Sequence, residues 1–317
     1  MQTAAQRRPA MDVPSQFLSM LDFGPAELSA CLALAADLKA ARRSGRLHAR
    51  PLAGRHVALL FEKPSLRTRS TFQIAVRELG GDVIEPPQDF ALGGREAIED
   101  VARNLERWVS AAVVRTFAQA RLRAFAAAAP RLRVINALTD EEHPCQALAD
   151  ALTLVERFGD LRGRTIAFVG DGNNVARSIA GAVVMLGGRV RIASPAGFEL
   201  SADVVNAIRR QAKFGAALEV LVDPADAVRG ADAVYTDVWA SMGQESQTDA
   251  RRAIFAMYQV NAELMSLARP DALFMHCLPA HRGDEVTSDV LDSAQSVVFD
   301  QAENRLHTQK ALLAMLA

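Results

Sequence analysis

The chain is expected to be an α/β protein made of two doubly wound parallel-sheet domains, and two observations predict this. Short apolar runs rich in β-branched residues alternate with stretches of helical period over most of the length. Such alternation turns each crossover into a helix, so that neighbouring strands run parallel and both sheet faces are covered. The second observation is size: 317 residues, half of them hydrophobic, suffice for two ordinary cores. The polar segment GDLRGR, residues 159–164, follows a long helical pattern, and we divide the chain at it into residues 1–150 and 151–317.

Composition excludes several function classes. A formal net charge of -1 supplies no broad basic field for nucleic acid or an anionic membrane. Cys31, Cys145 and Cys277 are too few and too scattered for a disulfide framework or a zinc site, which fits a reducing cytoplasm. The first 14 residues are expected to be disordered, with no apolar segment of a secretory signal. No run approaches the ~20 apolar residues of a membrane span.

Each element has a local reason. A helix over 25–41 puts Leu28, Leu32 and Ala35 on one face, and a polar linker follows it. After a strand at 57–60, Pro64 pushes Lys63 into extended geometry and Ser65 takes an N-cap position. The helix it opens buries Phe72, Val76 and Leu79 and stops at Gly80-Gly81. A strand at 83–84, a helix from about 95 to 108, a strand at 112–114, an alanine-rich helix and a strand at 134–137 complete the first half. Pro144 suits the first position of a helix over 146–158. Beyond the boundary we expect strands at 165–169, 190–192, 218–221, 233–235, 273–275 and 297–299, a helix over 174–186, and a last helix over 303–316.

Ligands of doubly wound sheets collect outside the carboxyl ends of the strands. Ser65, Arg67, Thr68 and Arg69 follow the first strand, Arg115 follows the third, and His143, Cys145 and Gln146 follow the fourth. Two guanidiniums and two hydroxyls at a strand-to-helix turn suit a phosphate, because free N–H groups and the helix dipole already favour an anion there. The second half presents Asp171, Asn173 and Asn174, then Asp237 with Ser241 and Met242, then His276, Cys277 and Leu278. Singly, each has a plain structural explanation: Arg115 as a salt-bridged strand end, His143 as a helix cap, Cys277 as a small buried hydrophobe. Together they place cations on one domain and a carboxylate, amides and a thiol on the other, as an anion and an ammonium-bearing molecule would require. The GDGNNV turn has Val175 where the dinucleotide fingerprint has its third glycine, so a nicotinamide site is only weakly signalled.

The blocks FEKPSLRTRSTF, HPCQALAD, GDGNNVA, TDVWASMGQE, YQVNAEL, FMHCLPAHRGDEV and VVFDQAENRLHTQKAL resemble the aspartate/ornithine carbamoyltransferase family over nearly the whole chain and in the right order. SMG and HCLPA are similar to its ornithine-using branch. The resemblance implies a carbamoyl-phosphate domain first, an ornithine domain second and a last helix that packs back on the first. It implies that Ser65, Leu66, Arg67, Thr68, Arg69, Arg115, His143, Gln146, Cys277, Leu278 and Arg305 hold carbamoyl phosphate, and that Asn174, Asp237, Ser241 and Met242 hold ornithine. Cys277, Arg115 and His143 are the catalytic candidates. The implied reaction, which needs no metal or other cofactor, gives citrulline and phosphate in cytoplasmic arginine biosynthesis. The implied assembly is a homotrimer with sites at its interfaces.

Two positions depart from the family pattern. Leu66 stands where a threonine is usual, and Ala91 where a glutamine usually reaches the carbamoyl phosphate of a neighbouring subunit. They keep two alternatives open: another amine acceptor, such as putrescine or an acylated ornithine, or a binding paralogue with weakened catalysis.

Overall fold

A computed structural model describes residues 14–46, 49–87, 92, 96–239 and 248–317. Ala91, Ser241 and Met242 lie outside the described residues. The first sheet contains β1 (His56–Phe61), β2 (Asp82–Ile84), β3 (Ala111–Arg115) and β4 (Arg133–Leu138), all parallel in the order β2-β1-β3-β4. Helices α1 (Pro25–Arg43), α2 (Leu66–Glu78), α3 (Ile98–Trp108), α4 (Gln119–Ala128) and α5 (Pro144–Phe158) accompany it. The second sheet is also parallel, with β5 (Thr165–Val169), β6 (Arg189–Ala193), β7 (Ala217–Leu221), β8 (Ala233–Thr236) and β9 (Leu273–His276) in the order β7-β6-β5-β8-β9. Its helices are α6 (Asn174–Met185), α7 (Ala202–Arg209), α8 (Pro224–Val228), α9 (Thr248–Phe255), α10 (Ala262–Ser266) and α11 (Ser288–Leu291).

Both sheets are doubly wound. The order in which strands are added reverses between β1 and β3 in one and between β5 and β8 in the other, and the strand ends flanking these two switch points open a crevice. The ends of α2 show how the sequence dictates the geometry. Ser65 is extended and its Oγ accepts from the Thr68 N–H at 3.3 Å. At the other end Gly80 has φ +88°, and the Gly80 and Gly81 N–H groups donate to the Arg77 and Val76 carbonyls, a Schellman closure that a side chain at Gly80 would strain.

The last helix, α12 (Val298–Leu316), starts earlier than the pattern suggests, and residues 297–299 do not form the expected strand. Only Ser296 bridges to Phe274, and the Val297 N–H donates to the Phe274 carbonyl before helix begins. Val297 and Val298 are buried in two different clusters while Phe299 is 74% exposed, so the apolar run VVF reflects burial on both sides of a helix start. From there α12 runs back to the first domain. Leu306, Ala311, Leu312, Leu313 and Leu316 join the cluster that contains Phe61 of β1, Phe72 of α2 and Leu148 of α5.

Candidate active site

A cavity of about 650 Å³ lies where the two sets of strand ends face each other. From the first domain it is lined by the turn from Lys63 to Thr68, by Arg115, Phe117, Leu138 and Asp140, and by His143 and Gln146 at the start of α5. The second domain contributes Asp171, Asn173, Asn174, Val175, Asp237, Val238 and the Cys277-Leu278-Pro279 turn. Arg305 enters from α12. The cavity therefore brings together all the described residues expected to hold carbamoyl phosphate or ornithine except Arg69, while Cys145 and His276, also at strand ends, lie outside its lining. The Arg69 guanidinium instead forms an ion pair with Glu85 at 2.6 Å and lies over the Phe61 ring, outside the lining. Helical period puts two residues so spaced on different faces but does not say which face turns to the cavity, so it cannot choose between Arg67 and Arg69.

The first-domain side is a cluster of cations under strain from one another. Arg115 and Arg305 are buried, Arg67 half-buried. Burial and then the neighbouring Arg305 and Arg67 charges pull the Arg115 pKa down to about 10, which leaves it charged at neutral pH. Burial likewise lowers Arg305 and Arg67. His143 occupies the N-cap position of α5 without a side-chain capping bond and is itself buried; burial, then Arg305, Arg115 and Arg67, hold its imidazole well below the usual histidine range, so the ring is neutral. A dianion would relieve all of these groups at once.

Hydrogen bonds fix the cluster. Arg305 donates from one terminal nitrogen to Gln146 Oε1 at 2.5 Å and from the other to Thr68 Oγ1 at 2.9 Å, which ties α12, α5 and α2 at one point. Gln146 Nε2 in turn donates to Asp150 Oδ1 at 2.8 Å. Lys63, which sequence reasoning left out of the site, is buried, pairs with Asp140 at 2.6 Å and sits over the Phe117 ring. Its only sequence signal is a basic residue between a strand end and Pro64.

On the second-domain side Cys277 Sγ donates to Asp237 Oδ1 at 2.9 Å, while Asn173 Nδ2 donates to Asp237 Oδ2 at 2.9 Å. Burial, then the Asp237 carboxylate, raises the thiol pKa well above its ordinary value, so Cys277 is a neutral donor and not a thiolate base. Asn174 opens α6 and donates to the Thr139 carbonyl at 2.6 Å, a contact across the crevice. Gly172 in the GDGNN turn serves packing: a Cβ there would lie 2.5 Å from the Leu200 nitrogen. Asp171 is held by Arg251 at 2.7 Å.

Asp237, His276 and Cys277 also bring an oxygen, a nitrogen and a sulfur within 4.8 Å of one another. The imidazole is already engaged at both ends. Its Nδ1 accepts from the Leu278 N–H at 2.9 Å, which places the ring proton on Nε2, 3.2 Å from Glu285 Oε1. The remaining thiol and carboxylate make an incomplete set for a zinc site.

Comparison with known proteins agrees with this architecture domain by domain. Residues 15–156 match the family described as aspartate/ornithine carbamoyltransferase, carbamoyl-P binding domain, and residues 162–316 match the corresponding Asp/Orn binding domain. The ornithine carbamoyltransferase of Acidothermus cellulolyticus is 52% identical over 303 residues, covering 95% of this chain and 96% of that protein. That of Symbiobacterium thermophilum is 48% identical over 302 residues, with 95% and 97% covered. Among solved structures, the ornithine carbamoyltransferase from Pyrococcus furiosus superposes with a TM-score of 0.92 at 45% identity, covering 96% of this chain and 98% of that one.

Proposed function

The chain belongs to the aspartate/ornithine carbamoyltransferase family, and from that premise we propose that it transfers the carbamoyl group of carbamoyl phosphate to the δ-amine of L-ornithine, giving L-citrulline and phosphate. The observation that carries the reading is the shared cavity: Arg67, Arg115 and Arg305 face the Asp237–Cys277 pair across one continuous space. The guanidiniums and the N-terminus of α2 hold the phosphate. The amine nitrogen attacks the carbonyl carbon, the bond from that carbon to the phosphate oxygen breaks with its electron pair going to phosphate, and the departing phosphate takes the amine proton. Cations aimed at the leaving group act where charge develops. Neutral His143 donates one hydrogen bond to the carbamoyl oxygen, and Gln146 orients the carbamoyl amide. Asp237 anchors the α-ammonium of ornithine, and Asn174 its α-carboxylate. Holding both reactants aligned supplies much of the acceleration.

The reading extends to arginine biosynthesis in the cytoplasm and to a homotrimer. No helix among the described residues is long and apolar enough to cross a membrane. Ile74, Ile84 and Trp108 of α2, the edge strand β2 and α3 are exposed apolar residues of the first domain and support a subunit contact there. Light scattering should give three times the 34.2 kDa of one chain. An acceptor panel tests the substrate. Ornithine should be carbamoylated far better than aspartate, putrescine or N-acetylornithine, and equal rates with putrescine would reassign the acceptor.

A further inference from the structure

We propose that Asp150 is a positioning residue whose Oδ1 fixes the amide orientation of Gln146 and Gln301 and thereby aligns both halves of the site. Asp150 is fully buried on α5. Its Oδ1 accepts from Gln146 Nε2 at 2.8 Å and from Gln301 Nε2 at 2.9 Å, and its Oδ2 accepts from the Tyr235 hydroxyl at 3.0 Å. These three partners come from α5 itself, α12 and β8, so the carboxylate joins the two domains.

The direction of the network follows from its outer ends. Gln146 Oε1 faces the Arg305 guanidinium and Gln301 Oε1 faces the His276 backbone N–H at 3.0 Å. Both outer partners are donors only, so each glutamine must present oxygen outward and nitrogen inward. The inward pair then needs one atom that accepts twice, which Asp150 Oδ1 supplies. One branch ends on the guanidinium that also holds Thr68 in the cation cluster. The other ends on the residue before Cys277. A buried amide left without its acceptor rotates or admits water, and either change moves the group at the far end of its branch.

The proposal rests on the carbamoyltransferase reading, and its test separates the two. Asp150→Leu keeps the volume and removes the acceptor. It should raise the KM for carbamoyl phosphate and for ornithine by about tenfold or more each, whereas Asp150→Asn, whose amide oxygen can occupy the Oδ1 position, should stay within about threefold of the parent. Gln301→Met cuts one branch and should raise the ornithine KM by about tenfold while the carbamoyl-phosphate KM moves less than about threefold. Calorimetric titration with inorganic phosphate reads the first branch without turnover, and Asp150→Leu should bind it about tenfold more weakly. Unchanged phosphate binding by a folded Asp150→Leu would overturn the proposal, as would equal damage from Leu and Asn. If Asp150→Leu does not fold, Gln301→Met decides: parallel shifts in both KM values contradict the two-branch network. Absence of citrulline from the parent protein instead counts against the carbamoyltransferase reading and leaves the phosphate titration in force.

Discussion

Arg67 carries the sharpest residue-level consequence of the site. It is half-buried at the start of α2, and its charge interacts across the cavity with the Asp237 carboxylate. A charge-assisted contact to the departing phosphate strengthens in the transition state, so Arg67→Ala should lose several orders of magnitude in kcat/KM with an unchanged circular dichroism spectrum. Near-normal turnover would make the turn a solvated helix start. Leu66 is the complementary case: it lines the cavity yet is 80% exposed, an apolar side chain at a polar mouth. Leu66→Thr should lower the carbamoyl-phosphate KM by about fivefold, one hydrogen bond's worth, and leave the ornithine KM nearly fixed. Most of these residues were legible from the sequence because strand ends of a doubly wound sheet converge. Asp150, Gln301 and Lys63 were not, because a buried polar side chain in the middle of a helix, in its first turn or before a proline has no periodic or motif signal until its partners are known.

At the scale of elements, α12 does most to join the molecule. Lys39 of α1 bonds to Glu156 of α5 at 2.8 Å and to Asn304 of α12 at 2.7 Å, and Lys310 pairs with Glu78 of α2 at 2.5 Å. His307 is buried among these charges; burial, opposed by Glu303 and reinforced by Lys39, Lys310 and Arg42, pulls its pKa to about 4. An unfolded histidine titrates near ~6.5, so between these values the unfolded chain takes up a proton that the folded chain refuses. The stability associated with neutral His307 is present above pH ~6.5 and lost as pH falls toward 4. Urea denaturation at pH 7 and pH 5 should show His307→Asn losing about 1–2 kcal/mol less than the parent between the two conditions. Equal losses would place the ring in a more hydrated setting. The sequence identified α12 as a helix but began it at 303 and read 297–299 as a strand, since a short apolar run looks alike whether it enters a sheet or starts a helix.

For the whole molecule, the doubly wound architecture of both halves was legible because parallel sheets covered on both faces demand continuous apolar runs between helices. The facing of the two switch points was not, since it depends on side chains such as Asn174 and Arg305 that reach from one domain to the other. That facing defines a reaction in which a free amine meets an activated carbonyl, and an amine with a pKa near ~10 is mostly protonated at neutral pH. With chemistry limiting, kcat/KM for ornithine should rise from pH 6 to 8.5; a flat profile would mean that amine deprotonation does not precede attack. One cavity joins the carbamoyl carbon to the δ-nitrogen of ornithine. Carbamoyl phosphate labelled with carbon-13, incubated with δ-nitrogen-15 ornithine and the purified protein, tests it directly by NMR. A one-bond carbon–nitrogen coupling should appear on the ureido carbon of citrulline, with one phosphate released per citrulline, and should be lost in Arg67→Ala; labelled carbamoyl phosphate that only hydrolyses, with no coupled product, would rule out transfer to ornithine in this cavity.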